Sequence, residues 1–372
     1  MKIGVLTSSR ADFGIYLPLL LELRNDPFFD LTIIAFGTHH SSNHGYTIEE
    51  IIQHGFDKID EVCSILTTDD KESISKSFGM TVTSFATYWN QTNNDVVLCL
   101  GDRYEMCAAV QAGIPFGITF AHFHGGEVTT GAIDNIYRDQ ISLASTLHFT
   151  SLDQYSDRLK KLLHSENNIH TVGSLSLAAI KSWKPQLNKT EFLLKYGIGD
   201  EKFILITFHP ETVNPDQTPT HISELKKTLL ILSDEYNLVI TLPNADTFGS
   251  MYTAMFNELK NQKSDHIVLI QSFGKAGYFH ALLYSSLVLG NSSSGILEAA
   301  SFGKHVVNVG DRQNGRVNGP NIIHCDFCTS SIVNAVYQAL KLGNYNGENI
   351  YYRNNSVPSV IKQLKNYYES FS

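Results

Sequence analysis

Carboxylates and imidazoles gather at two places in the first half of the chain. Gly101-Asp102-Arg103-Tyr104-Glu105 follows the apolar run 95–100, and His122-Phe123-His124-Gly125-Gly126-Glu127 follows the next, with Asp134 and Arg138 shortly beyond. Such a set suits acid–base work, because burial or a like charge lifts one carboxyl toward neutrality while an arginine holds another ionised. Any one Asp or His here could serve a structural ion pair. Asp102, Glu127 and Asp134, with two histidines and two arginines, gathered at strand ends instead predict a shared pocket mouth. Gly125-Gly126 predicts a backbone passing close to a ligand or a neighbouring strand.

Other segments have the chemistry of phosphate binding. Thr7-Ser8-Ser9-Arg10-Ala11-Asp12 leads from the first apolar run into a helix, so it offers backbone donors, a positive dipole and a forked cation; an ordinary helix cap with a solvated Arg10 would read the same way. His209-Pro210-Glu211-Thr212 ends another run, and Pro243-Asn244-Ala245-Asp246 the one after. Gly290-Asn291-Ser292-Ser293-Ser294-Gly295 carries an apolar run into small polar residues, with Glu298 one turn further and Arg312 and Arg316 beyond. Amides and hydroxyls there can hold a diphosphate, and Glu298 can accept two ribose hydroxyls. The G-x-G-x-x-G fingerprint is missing, which counts against NAD.

These segments need strands to end on. Short β-branched runs alternate with amphipathic stretches, the pattern of a parallel sheet with crossover helices, so the fold class is α/β. Strands are predicted at 2–7, 31–37, 95–100, 116–121, 146–150 and 169–172, then in a second series at 203–208, 237–242, 266–270, 286–290 and 304–309. Helices fall between them, near 15–24, 47–54, 73–90, 103–113, 219–235, 250–261, 276–284 and 295–302. The turn-rich Trp183-Lys184-Pro185-Gln186-Leu187-Asn188 stands between the two series. Two Rossmann-like domains follow, 1–180 and 181–356, facing a central cleft onto which the carboxyl ends of both sheets open. At 372 residues each domain is long enough to bury its own core.

The net charge of −9 argues against nucleic acid or an anionic membrane as partner, so an anionic ligand must be held locally. No run approaches a membrane span, and Ile3–Leu6 reads as a buried strand rather than a signal peptide, which points to the cytoplasm. Five cysteines, with Cys99 and Cys107 in buried-looking runs, suit a reducing compartment; Cys325 and Cys328 lack the two further ligands of a zinc site.

Taken together, Ser9-Arg10-Ala11-Asp12, Gly37-Thr38-His39 with His44-Gly45-Tyr46-Thr47, Gly101-Asp102-Arg103-Tyr104-Glu105, His124-Gly125-Gly126-Glu127, Phe208-His209-Pro210-Glu211-Thr212, Asn291-Ser292-Ser293-Ser294-Gly295 and Gly310-Asp311-Arg312-Gln313-x-Gly315-Arg316 resemble, in order, the motifs of the UDP-N-acetylglucosamine 2-epimerase family. Within it they are most similar to the hydrolysing branch that supplies N-acetylmannosamine for sialic acid and surface polysaccharide. The resemblance implies the glycosyltransferase-B architecture, with a C-terminal helix in 357–372 crossing back to the first domain. It implies a UDP-sugar substrate, no cofactor or metal, and a homodimer or homotetramer. UDP would be held by Arg10, His209, Asn244, Ser292, Ser293, Ser294, Glu298 and Arg316, with uracil against backbone near Phe273. Asp102, Glu127 and Asp134 look like the catalytic carboxylates, with His124 and Arg138 in support. Two departures stand out: Arg138-Asp139 replaces a frequent Arg-His, and Ile15-Tyr16-Leu17-Pro18 lacks the lysine of many non-hydrolysing members. The branch acting on UDP-linked 2,4-diacetamido-6-deoxy sugars and the non-hydrolysing epimerases remain as alternatives.

Overall fold

The computed structural model describes residues 1–40, 47–64, 70–130, 132–180, 183–211, 215–243 and 248–371. Chain contacts divide it into two units, one of Met1–Glu127, Asp134–Ala179 and Tyr351–Ser372, the other of Val128–Ile133 and Ile180–Ile350.

The first unit holds strands β1 (Lys2–Thr7), β2 (Asp30–Phe36), β3 (Ile59–Val62), β4 (Val96–Leu100), β5 (Phe120–Phe123), β6 (Leu147–Thr150) and β7 (Ile169–Thr171). All pair in parallel, in the order β3-β2-β1-β4-β5-β6-β7. Its helices are α1 (Arg10–Asn25), α2 (Ile48–Gln53), α3 (Lys71–Gln91), α4 (Tyr104–Gly113), α5 (Asp134–Leu143) and α6 (Asp153–Leu163). Strand residues alternate between the two faces: Val96, Leu98 and Leu100 join the core under α1, while Val97 and Cys99 join the core under α3 and α4.

The second unit begins with α7 (Lys189–Tyr196) and builds a second parallel sheet from β8 (Phe203–Thr207), β9 (Asn237–Thr241), β10 (Ile267–Ile270), β11 (Leu287–Gly290), β12 (Val306–Val309) and β13 (Ile322–Cys325), in the order β10-β9-β8-β11-β12-β13. Between them run α8 (Thr218–Leu232), α9 (Gly249–Gln262), α10 (Gly274–Tyr284), α11 (Ser293–Leu297) and α12 (Thr329–Leu342). The last helix, α13 (Ser356–Glu369), returns to the first unit. Its Val357, Val360 and Leu364 are buried in the core against α1, each side chain contributing about 1.5–3 kcal/mol of apolar burial.

The strand predicted at 116–121 is displaced. Pro115 fixes a 3-10 turn over Ile114–Phe116, and Gly117 at φ +65° closes it, so extended backbone resumes only at Phe120. The edge strands β3 and β13 were not foreseen, because Asp60, Glu61 and His324 break their apolar runs. Cys99 and Cys107 are buried free thiols. Among the described residues no helix is long and apolar enough to cross a membrane.

Candidate active site

In the first sheet strand order reverses between β1 and β4, the switch point outside whose carboxyl ends ligands bind. Asp102 stands two residues past β4 and is paired with Nη2 of Arg138 from α5. Arg138 is 1% exposed; its Nη1 also donates to the Glu127 carbonyl at 2.9 Å and to Asn135 Oδ1 at 3.3 Å. One guanidinium thus ties together the turn after β4, the turn after β5 and the start of α5. Glu127 is buried, and its Oε1 lies 2.7 Å from His124 Nδ1 and accepts from Ser151 Oγ at 2.7 Å. Gly126 at φ +77° makes this turn possible, since a Cβ there would strike the Tyr155 carbonyl. Asp134 begins α5 one turn before Arg138, which puts both on one side of the helix.

Two members of the predicted cluster have other duties. Arg103 forms a two-pronged pair with buried Glu105, Nε to Oε2 at 3.2 Å and Nη2 to Oε1 at 2.9 Å. His122 lies inside β5 rather than past its end, because the strand starts later than expected. It is fully buried, its Nε2 donates to the Gly101 carbonyl at 2.8 Å, and Nδ1 accepts from Ser142 Oγ at 2.9 Å. Burial, opposed by the bond to Gly101, drives its pKa down to about 3 from the usual 6.5.

The folded state therefore keeps His122 neutral while the unfolded chain protonates it below about pH 6.5. Its contribution is present above that pH and is lost as pH falls toward 3. His122→Gln is expected to reduce the pH slope of unfolding free energy by one proton, about 1.4 kcal/mol per pH unit, between about pH 6 and 4. Urea titrations at several pH values read this directly, and an unchanged slope would refute it.

At the first turn Ser9 caps α1, accepting from Asp12 N, and Asp12 accepts from Ser8 N at 2.9 Å and Ser8 Oγ at 2.6 Å. Arg10 meets Glu50 of α2, Nε to Oε2 at 2.7 Å, and its side chain stays 41% exposed. Its charge is thus shared with a carboxylate before any phosphate arrives. Asp139 is held by Arg158 through two 2.7 Å bonds, a structural pair between α5 and α6.

In the second sheet the order reverses between β8 and β11. The side chain of Asn291 clamps the backbone of His209, its Oδ1 accepting from His209 N and its Nδ2 donating to His209 O, both at 2.8 Å. The Asn291 carbonyl in turn accepts from Gln313 Nε2 at 2.9 Å and Arg312 Nη1 at 3.2 Å. Glu211 Oε1 gathers the amides of Asp311 (2.7 Å) and Arg312 (3.2 Å). Ser292 caps α11 through Ser294 N, and the Ser294 hydroxyl bridges Glu298 Oε2 (2.8 Å) and the Tyr278 hydroxyl (2.5 Å). Lys275 Nζ lies 3.0 Å from Glu298 Oε1. With only five residues, Ser293–Leu297, α11 adds less dipole than the longer predicted helix; the donors that count there are individual amides and hydroxyls. Arg316 is buried, and its amide donates to the Gln313 carbonyl at 3.1 Å. The ring of Phe273 is buried against Phe192 and Tyr196, so only its backbone could meet a base. Asn244, with residues 44–46 and Thr212 of the motifs, lies outside the described residues.

A family model described as UDP-N-acetylglucosamine 2-epimerase matches residues 21–365. The chain belongs to the UDP-N-acetylglucosamine 2-epimerase family. Relatives of this epimerase include the GDP/UDP-N,N'-diacetylbacillosamine 2-epimerase (hydrolyzing) of Campylobacter jejuni, 34% identical over 87% of this chain and 83% of the relative. The polysialic acid biosynthesis protein P7 of Escherichia coli is 30% identical over 99% of this chain and 95% of its own. The crystal structure of UDP-GlcNAc 2-epimerase from Neisseria meningitidis bound to UDP-GlcNAc shares the fold, with a TM-score of 0.81 and 18% identity over 98% of this chain and 100% of that one.

Within the epimerase, sequence reasoning passed over Ser151 and Lys275, and quoted Asn291 and Glu211 only inside their motifs, without a role of their own. Asn291 and Ser151 stand directly past a strand's carboxyl end and Glu211 four residues past one, which was the signal available for Ser151; Lys275 lies at the start of α10 and carried none.

Proposed function

We propose that the chain is a hydrolysing 2-epimerase that converts UDP-N-acetylglucosamine and water to N-acetylmannosamine and UDP. The observation that carries this reading is the network of Asp102 with buried Arg138, Glu127 and His124, in a chain that matches a relative named as hydrolysing over most of its length. A group of this set takes the C2 proton while the C1–O bond breaks and its electron pair leaves on the diphosphate, giving a 2-acetamidoglycal. A proton then returns to the opposite face of C2 and hydroxide from water adds at C1. Asp102 and Asp134 are the candidates for the returning acid. Negative charge on the departing diphosphate is the largest electrostatic burden, and Arg10, His209, Ser292, Ser293 and Arg316 are the residues proposed to meet it, with Glu298 on the ribose.

A second reading keeps the chemistry and changes the sugar to UDP-N,N'-diacetylbacillosamine; the name of the Campylobacter relative favours it. Proton NMR of the protein in D2O with each nucleotide, without added metal, tests both. Free N-acetylmannosamine deuterated at C2, together with UDP, is expected from UDP-N-acetylglucosamine. Turnover of the diacetamido nucleotide alone would select the second reading, and a nucleotide-bound 2-epimer without UDP release would overturn hydrolysis.

A further inference from the structure

The epimerase reading does not say which group takes the C2 proton, and the bonds around Glu127 bear on that choice. This carboxylate is 2% exposed, and two donors converge on its Oε1 at 2.7 Å, His124 Nδ1 and Ser151 Oγ. Its backbone carbonyl is held by Arg138. A carboxylate so buried and so occupied is arranged to hold its neighbours. Because an ionised carboxylate only accepts, the imidazole nitrogen facing it carries hydrogen, and the lone pair of neutral His124 then lies on Nε2. Nε2 has no hydrogen-bond partner among the described residues.

The backbone supports the same assignment. His124 sits at φ +64°, a left-handed conformation that residues with a side chain rarely adopt, immediately after β5. Strain of this kind persists where surroundings impose it, and it clusters at functional sites. Here it aims one imidazole from the carboxyl end of a strand, while Gly125 and Gly126 let the chain turn back to bring Glu127 beneath it. Ionisable neighbours among the described residues include Glu127 itself, Arg138 from α5 with its partner Asp102, and His122 from β5, which burial keeps neutral.

We propose that His124 Nε2 is the base that removes the C2 proton, and that Glu127 and Ser151 are positioning residues that fix its tautomer and ring. The proposal rests on the 2-epimerase reading. In the step, the Nε2 lone pair takes the proton, the C2–H pair becomes the C1=C2 bond, and the C1–O pair departs on the diphosphate. The imidazolium so formed is stabilised by the Glu127 carboxylate, which stays ionised, and later gives its proton to solvent. Carboxylate-held imidazoles of this kind lose orders of magnitude in rate when the tautomer is released.

Two measurements on the full chain test this. Nitrogen-15 NMR of histidine-labelled protein is expected to show His124 as the Nδ1–H tautomer, and Ser151→Ala or Glu127→Gln to mix the two tautomers. In turnover assays His124→Gly suits φ +64° and so should fold. It is expected to lower kcat about 1,000-fold, with KM within about threefold, and to regain turnover with added imidazole in proportion to its free base. Ser151→Ala is expected to lower kcat about tenfold and Ser151→Thr to restore most of it. An Nε2–H tautomer, or a His124→Gly chain within about tenfold of an active wild type, overturns the base assignment and leaves the epimerase standing. A wild type that neither epimerises nor hydrolyses either nucleotide overturns the epimerase reading, and the base assignment with it, whatever the tautomer.

Discussion

Replacing Arg138 by methionine is expected to lower turnover by about two to three orders of magnitude and to destabilise the first unit by about 3 kcal/mol. Methionine fills much of the volume, so the effect isolates the guanidinium. What is lost is a buried cation that meets Asp102, the Glu127 carbonyl and Asn135 together. The Asp102 side chain is 28% exposed, so water recovers part of its solvation, which puts the stability cost near the low end for a broken buried pair. The Glu127 carbonyl has less recourse, and its shift would carry the His124–Glu127 bond away from its 2.7 Å geometry. Arg138→Lys keeps the charge and loses the fork, and should recover stability better than turnover. Arg138→Met combined with Asp102→Asn should cost much less than the two changes added, because both remove one shared pair. Additive losses in kcat would show that Arg138 and Asp102 act independently, contrary to the structure.

How far this network could be foreseen depends on the range over which residues speak. Lys2–Thr7 is built on the apolar run Ile3–Leu6 and was legible as a strand to the residue; so was the restart of the pattern at Phe203, and with it two parallel-sheet units. Edge strands carry charge on their solvent sides and lose that signature, as Asp60 and Glu61 show in β3. At the site, residue types were readable because strand carboxyl ends are where such sheets place them. Their pairings were not, since Arg138 reaches back 36 positions to Asp102 and Ser151 reaches 24 to Glu127. Nothing in the local sequence distinguishes His122, sealed inside β5, from His124, turned out at its end. That difference follows from where Pro115 and Gly117 allow the strand to begin.

Gly290→Ala is expected to have the larger effect on the second unit. Gly290 ends β11 at φ +152° and stands opposite Thr207 of β8, at the point where strand order reverses. A Cβ added there would overlap the Thr207 carbonyl oxygen, which is backbone in the middle of a sheet and cannot swing aside as a side chain would. Either β8 and β11 separate or Gly290 changes conformation, and both act on Asn291, whose amide donates to that same carbonyl at 3.1 Å. Conformational strain and overpacking together should destabilise the unit by about 3 kcal/mol. Because Asn291 holds the His209 backbone from both sides, displacement at Gly290 should also weaken UDP binding about tenfold or more if His209 and Ser292 are phosphate ligands. Hydrogen exchange in β8 and β11 reads the first effect where whole-chain unfolding of two units would blur it, and calorimetry with UDP reads the second. Loosened exchange with undiminished UDP affinity would place the diphosphate away from the β8 and β11 ends, whereas loss of both ties nucleotide binding to the strand crossover that positions His209.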